Sequence, residues 1–470
     1  MDGPLHEDAS SLASPDETRA ATQDELRGWV EATTGGVVVH WQSMSGGNRC
    51  WSWAVDVESG DGSLAKLYLR YQPPRPPSAE PYTVWREARH YQALTGSRVP
   101  APALVAIHPA HQAILTARVP GKVEYRRLAS EDDRRTIARE FVEALGVLHT
   151  LALNSQILPG FNPERSIADC VRDELTIWRA MYEEVATRDP LIDLALDWLD
   201  ANVPDPPGTP VLVHGDAGPG NFMFEGGHLT ALLDWEFAHP GDPMEDFGWF
   251  SMRAVMEPVP DFAGLLAHYG RTSGIVVDLD RIRYHRVFVS TRVVIIRHRN
   301  VTGQPGTSLV SRALNRRLLV TALAEANRIR LVTPPPLDAP PTERTSLFDT
   351  TVQDLRHEIA EVASEPAVVA AAKTTAKVVK YLRELDRYGS LATEMDLSDL
   401  TAALGYRPDG VEAGKAALRD SVRAGRVDFP TALQCFAGCA ARETQLAAAS
   451  SGGLATRTFP ALEPTQADHG

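Results

Sequence analysis

Residues 211–249 read VLVHGDAGPGNFMFEGGHLTALLDWEFAHPGDPMEDFGW, and this stretch decides the fold. An apolar run, Val211-Leu212-Val213, ends at His214-Gly215-Asp216, and Asn221 stands five residues beyond that aspartate. The turn Glu225-Gly226-Gly227-His228 leads to a second apolar run, Leu229 to Leu233, which ends at Asp234-Trp235-Glu236. The pattern predicts two short strands joined through a turn, each delivering a carboxylate at or just past its end. A single Asp or Asn in a loop usually does no more than cap a turn. Three polar residues at this spacing, between two apolar runs, ask for more than a cap.

Transfer of a phosphoryl group from ATP to a hydroxyl needs this inventory. A carboxylate must orient the hydroxyl and take its proton, and Mg²⁺, which prefers oxygen ligands, must meet the charge on the phosphates. A kinase catalytic loop carries its base five residues before a metal-binding Asn, with a second metal-binding Asp on a later strand. Asp216, Asn221 and Asp234 follow that order and spacing.

With His-Gly-Asp and Asp-Trp-Glu at these places, the stretch resembles the aminoglycoside phosphotransferase and choline kinase-like small-molecule kinases. Their signature reads HGDxxxxN followed by DWE, and the resemblance covers roughly the first 330 residues. It implies an α+β, bilobal protein-kinase-like fold, with a small β-rich N-lobe and a mainly helical C-lobe. It also implies roles: Asp216 as catalytic carboxylate, Asn221 and Asp234 as Mg²⁺ ligands, and His214 as the brace of the loop. Glu236 and Asp242 are secondary positions near metal or substrate. The implied reaction is ATP- and Mg²⁺-dependent phosphorylation of a small-molecule hydroxyl.

Composition bounds the alternatives. The chain has 470 residues, 43% hydrophobic and 23% charged, which is ordinary for a globular protein with two or three domains. A net charge of −14 argues against a general nucleic-acid surface. The N-terminus is acidic and polar, unlike a secretory signal, and no apolar run is long enough to span a membrane, so the expected compartment is cytoplasmic. Cys50, Cys170, Cys435 and Cys439 are too few and scattered for a disulfide framework; Cys435 and Cys439 read as buried structural thiols.

Along the chain, residues 1–13 read as disordered and residues 14–118 as the N-lobe. Ser14-Pro15-Asp16-Glu17 reads as a capping box opening a helix that ends near Gly35-Gly36. The Gly46-Gly47 pair between strands is placed to let backbone N–H groups lie over the ATP phosphates. The strand from Leu64 to Tyr71 puts Lys66, Tyr68 and Arg70 on one face. Relatives commonly read Leu-Arg before prolines here, so the resemblance favours Arg70 as phosphate contact, with Lys66 in reserve. Glu87 lines up with the family's helix glutamate, ahead of Glu80 as the alternative. Pro120-Gly121 reads as the hinge, and in a kinase-like fold the backbone near Ala117 and Val119 would meet the adenine.

Residues 119–332 form the expected C-lobe, where most arginines of the stretch Arg281 to Arg299 read as solvated or ion-paired, with one or two available to an anionic substrate. A Pro-rich linker spans 333–343, a helical domain 344–449, and a disordered tail 450–470. The helical part resembles a small domain of unknown function attached to some phosphotransferases, and its exposed amphipathic helices suit packing or homodimerisation. The resemblance leans toward kinases of acyl-CoA metabolism, and so toward a hydroxyacyl-CoA-type acceptor. An aminoglycoside or other antibiotic acceptor, and a non-catalytic ATP-binding regulatory protein, are the alternatives.

Overall fold

The computed structural model describes residues 15–44, 49–299 and 307–464. Residues 1–13 and the Gly46-Gly47 pair lie outside the described residues. The chain divides into two compact units, one of residues up to Pro76 with Tyr82–Pro120, the other of Pro77–Pro81 with Gly121 onward.

The first unit is a five-stranded antiparallel sheet with helices α1 (Pro15–Thr34) and α2 (Val84–Leu94). Strands β1 (Val37–Met44), β2 (Trp51–Glu58), β3 (Leu64–Tyr71), β4 (Leu104–Ile107) and β5 (Ala113–Ala117) lie in the order β1-β2-β3-β5-β4. Period two along β3 buries Leu67, Leu69 and Tyr71 and leaves Lys66, Tyr68 and Arg70 on the other face. Leu26 and Val30, one helical turn apart on α1, pack onto the buried side with Trp53, Val55 and Val57 of β2. Thr83 caps α2 by accepting from the Arg86 amide.

The second unit is mainly helical. Helices α3 (Glu131–His149), α4 (Ile167–Glu183) and α5 (Pro190–Ala201) precede four short strands. These are β6 (Val211–Val213), β7 (Phe222–Glu225), β8 (His228–Leu232) and β9 (His239–Gly241). The sequence suggested two strands joined by one turn; the structure has two separate pairs. β7 and β8 form the hairpin that turns at Gly226-Gly227, while β6 pairs with β9. The exits of β6 and β8 are tied together, since His214 Nε2 donates to the Leu233 carbonyl and the Leu233 amide donates to the Asn221 carbonyl. Helices α6 (Pro243–Met256), α7 (Phe262–Ser273), α8 (Leu279–Arg299) and α9 (Thr307–Ala326) follow.

The C-terminal helices α10 (Thr345–Asp354), α11 (Pro366–Leu404), α12 (Val411–Arg423) and α13 (Phe429–Ser451) belong to this same unit. They dock through charges: Arg316 of α9 pairs with Asp189 and Glu443, and Arg419 with Asp193. The Pro-rich segment is a strap, with Leu337 buried and its amide and carbonyl both bonded to the Gln445 side chain. Burial pushes the Cys435 thiol up to about 11 and the Cys439 thiol to about 12, as befits structural thiols.

The tail is where composition misleads. Residues 450–464 are not a loose end: Phe459 and Leu462 are buried, and Arg286 bonds the Pro460 carbonyl at 2.7 Å. Arg457 bonds the Val255 carbonyl at 3.1 Å and also that of Met256, satisfying acceptors left open at the end of α6. Two apolar anchors and three backbone bonds outweigh a Gly/Ser-rich approach. Phe459→Ala should therefore cost about 3 kcal/mol, as for an aromatic truncated in a core. The change is read as a lower urea midpoint at unchanged slope; an unmoved midpoint would mean the tail does not dock.

Candidate active site

The loop after β6 is held from below by one carboxylate. Asp246, on α6, accepts the backbone N–H of His214 at 2.8 Å and that of Gly215 at 2.9 Å. His149, at the end of α3, lies 3.0 Å from the same carboxylate and 2.8 Å from the Tyr269 hydroxyl. All of this is buried, where charge-assisted bonds are strong and lone partners costly. Gly215 has φ +74°, and a Cβ there would stand 2.3 Å from the Phe237 carbonyl oxygen. No other residue fits.

His214 fixes the loop from the side. Its Nε2 donates to the Leu233 carbonyl at 2.8 Å, so Nδ1 is left to accept the Asp216 amide at 3.3 Å. Its ring packs on Trp235, with centroids 4.7 Å apart. The imidazole thus ties the exit of β6 to the exit of β8.

Asp216 and Asn221 meet directly. Asn221 Nδ2 donates to the Asp216 carbonyl at 2.9 Å and to Asp216 Oδ2 at 2.8 Å. Both amide hydrogens are consumed, which turns the Asn221 Oδ1 oxygen away from Asp216. The Asn221 carbonyl accepts from the Leu233 amide at 2.8 Å, which brings Asp234 alongside. Asp234 holds a left-handed conformation, φ 64° and ψ 67°, rare for a residue with a side chain and typical of functional sites. Glu236 follows in the short 3₁₀ turn Trp235–Phe237. An oxygen-seeking divalent cation fits this donor set: the amide oxygen of Asn221 and the carboxylate of Asp234 are hard ligands.

The sequence reading missed Arg253. Its guanidinium takes both oxygens of Asp216, with Nε 2.8 Å from Oδ1 and Nη2 against Oδ2. Nη1 bonds the Pro219 carbonyl at 3.1 Å. Gly218 admits the arginine stem, since a Cβ there would lie 2.9 Å from Arg253 Cβ. Burial works against the guanidinium charge, but Asp216, and then Asp234 and Glu257, hold it above its ordinary value. Nothing in the spacing of the motif points to a cation 37 residues on.

In the first unit, Arg70 Nε lies 3.3 Å from Glu87 Oε2, and Glu87 is buried. Lys66 is exposed near the start of β3, so this unit joins Arg70, not Lys66, to Glu87. Glu80 belongs to the second unit, where it pairs with Arg299. Ala117 ends β5, and Val119 follows just before the chain passes between the units at Pro120-Gly121.

Asp242 is fully buried, caps α6 by accepting the Met244 amide at 2.8 Å, and pairs with Arg281 and His285. Asp246, one turn further on, is the residue that reaches the loop. Most arginines of α8 are ion-paired: Arg292 bonds Glu245 at 2.5 Å and Arg286 bonds Glu325 at 2.8 Å. Burial pushes Asp242 up, but His285 and then Arg281 bring it below the usual carboxylate range. Glu245 is lowered too, burial being outweighed by Arg292 and His239. Burial also disfavours charge on His239, yet Glu174 and Glu245 raise it.

Residues 53–285 match the sequence model of the phosphotransferase enzyme family. Human acyl-CoA dehydrogenase family member 11 is 29% identical over 196 residues, 39% of this chain and 25% of that protein. The rat protein of the same name is 29% identical over 203 residues, 41% of this chain and 25% of that protein. The chain thus spans about a quarter of the length of the curated relatives it matches. A crystal structure from Ralstonia eutropha, of a protein assigned to the aminoglycoside phosphotransferases, superposes with a TM-score of 0.51 at 20% identity. That likeness covers 66% of this chain and 99% of the other, and it is one of fold. Among the described residues, no helix is long and apolar enough to cross a membrane.

The buried network sets a pH dependence. Asp242 and Glu245 are depressed in the folded state, so their stabilisation is complete above the ordinary carboxylate range. It is lost as pH falls through their folded values. His239 is raised, so its share is complete below the ordinary imidazole value and is lost as pH rises through the raised one. Thermal melting should therefore fall on the acid side, and Asp242→Asn should flatten that acid limb. A variant with the wild-type acid limb would contradict the assignment.

Proposed function

We propose that this chain, whose residues 53–285 match the phosphotransferase enzyme family, is a small-molecule kinase moving the γ-phosphate of ATP to a hydroxyl. The observation that carries this reading is the Asp216 carboxylate, held by Arg253 and Asn221 beside Asp234. An ionised carboxylate offers about four acceptor sites. Three donors, Arg253 Nε, Arg253 Nη2 and Asn221 Nδ2, take three of them. One remains, enough to orient an incoming hydroxyl and take its proton as the oxygen attacks phosphorus.

In this account Asp216 is the catalytic carboxylate and Arg253 its positioning partner. Asn221 Oδ1 and Asp234 would hold Mg²⁺, which supplies charge neutralisation at the phosphates when bound. Arg70, steadied by Glu87, would bind phosphate oxygens with the planar fork that suits them. His214 keeps the loop in register. Glu236, two residues beyond Asp234, would add to the surroundings of metal or substrate.

For the acceptor we favour a hydroxylated acyl-CoA-type metabolite. The support is the matched segment of proteins named for acyl-CoA dehydrogenation, consistent with the leaning of the motif itself. The fold likeness to a protein assigned to the aminoglycoside phosphotransferases is the observation behind the second reading, an aminoglycoside acceptor.

The test is Mg²⁺- and acceptor-dependent ATP turnover on two panels, hydroxyacyl-CoA thioesters and aminoglycosides. Asp216→Asn should lose about 10²–10⁴-fold in kcat, the usual worth of a positioned base, while retaining nucleotide affinity. Lost ATP binding would mean a different role for Asp216. Arg253→Ala should lower kcat more than it raises the KM for ATP, with Arg253→Lys recovering only part, because lysine keeps the charge but not the fork. An unchanged kcat in Arg253→Ala would remove Arg253 from the account.

A further inference from the structure

The α10–α11 hairpin is an arm whose outer part buries almost no side chain. Helix α10 continues through a π turn, Leu355–Ala360, and folds back against the first half of α11. Neither α10 nor the π turn has a single buried residue, and α11 buries only Ala372 before Tyr388. A ten-residue helix is marginal alone and is normally kept by burying an apolar stripe. Here Phe348, Val352, Leu355, Ile359 and Val362 recur at intervals of four and three, the spacing of a helix-pairing seam. Large apolar side chains nevertheless stand in solvent: Leu347 is 67% exposed and Val362 73%, with Ile359, Val368, Leu382 and Leu385 also exposed. A single exposed leucine is unremarkable; six on one hairpin mark an interaction surface.

Charge says what covers it. The outgoing arm, residues 345–365, carries five carboxylates against one arginine. The returning arm, residues 366–385, carries Lys373, Lys377, Lys380 and Arg383 against one carboxylate, Glu384, which pairs with Arg383. The three lysines, spaced four and three, share a helical face, and none makes an ion pair among the described residues. One pair, Arg383 with Asp349, links the arms within the chain. A two-fold axis would place each acidic arm on the partner's basic arm, satisfying both halves at once. A uniformly acidic or basic partner would match one arm and repel the other.

We propose that this hairpin is a self-association surface, and that the second copy of the chain binds it antiparallel about a two-fold axis, burying Leu347, Val362, Leu382 and Leu385. The contact lies on helices outside the matched family segment, so its test is independent of the phosphotransferase reading.

Analytical ultracentrifugation of the full chain, across concentration and salt, reads the result. Wild type should sediment at twice the 51.3 kDa of one chain, with dissociation promoted by salt. Leu382→Glu with Leu385→Glu, both at exposed positions, should give a folded monomer by circular dichroism and melting. Lys377→Glu with Lys380→Glu should also weaken the dimer, and adding Asp354→Lys with Glu358→Lys to the same chain should restore it. A wild type that stays monomeric at all concentrations overturns the proposal and leaves the surface to another protein. A dimer indifferent to all of these substitutions overturns it as well, by placing the contact elsewhere.

Discussion

One buried carboxylate governs the site. Asp246 accepts two successive backbone amides, those of His214 and Gly215, and thereby fixes the peptide planes just ahead of Asp216. Without it two N–H groups would be buried without partners, each a penalty of about 1–3 kcal/mol. The close approach of the loop to residue 237, which only glycine at 215 permits, follows from the same constraint. His149 and Tyr269 hold Asp246 in turn, so α3, α6 and α7 all report to one loop. This chain of contacts ends at Asp216; everything behind it is structure.

Position and charge are then set separately. Asp246 and His214 place the backbone of the loop, while Arg253 and Asn221 orient the Asp216 side chain. Arg253 comes from the last turn of α6, whose open carbonyls are closed by Arg457 of the tail. The tail is thus part of the scaffold that carries the guanidinium to Asp216.

Much of this was legible in residues 211–249, because the acceptor carboxylate, the amide and the second carboxylate lie within one contiguous motif. The resemblance carried the fold from the same residues, and period two on β3 put Arg70 on the face that meets Glu87. Strand pairing was not legible: β6 is three residues long, and so short a run does not say whether its partner is β8 or β9. Among the acids Asp242, Glu245 and Asp246, spacing alone could not tell the cap from the loop holder; their bonds in the fold do. Arg253 was invisible because the fold, not the motif, closes the distance. The tail was misread because low complexity at 450–453 concealed Phe459 and Leu462, whose burial is a tertiary event.

Under the proposal, the Asp216 centre moves a phosphoryl group onto a hydroxyl. Phosphorus NMR on the purified chain with Mg-ATP and hydroxylated acyl-CoA thioesters sees the product itself. ADP is expected together with a new phosphate monoester signal, in equal amounts and absent without the acceptor. ATP left intact, or inorganic phosphate as the sole product with every hydroxyl compound supplied, would contradict it.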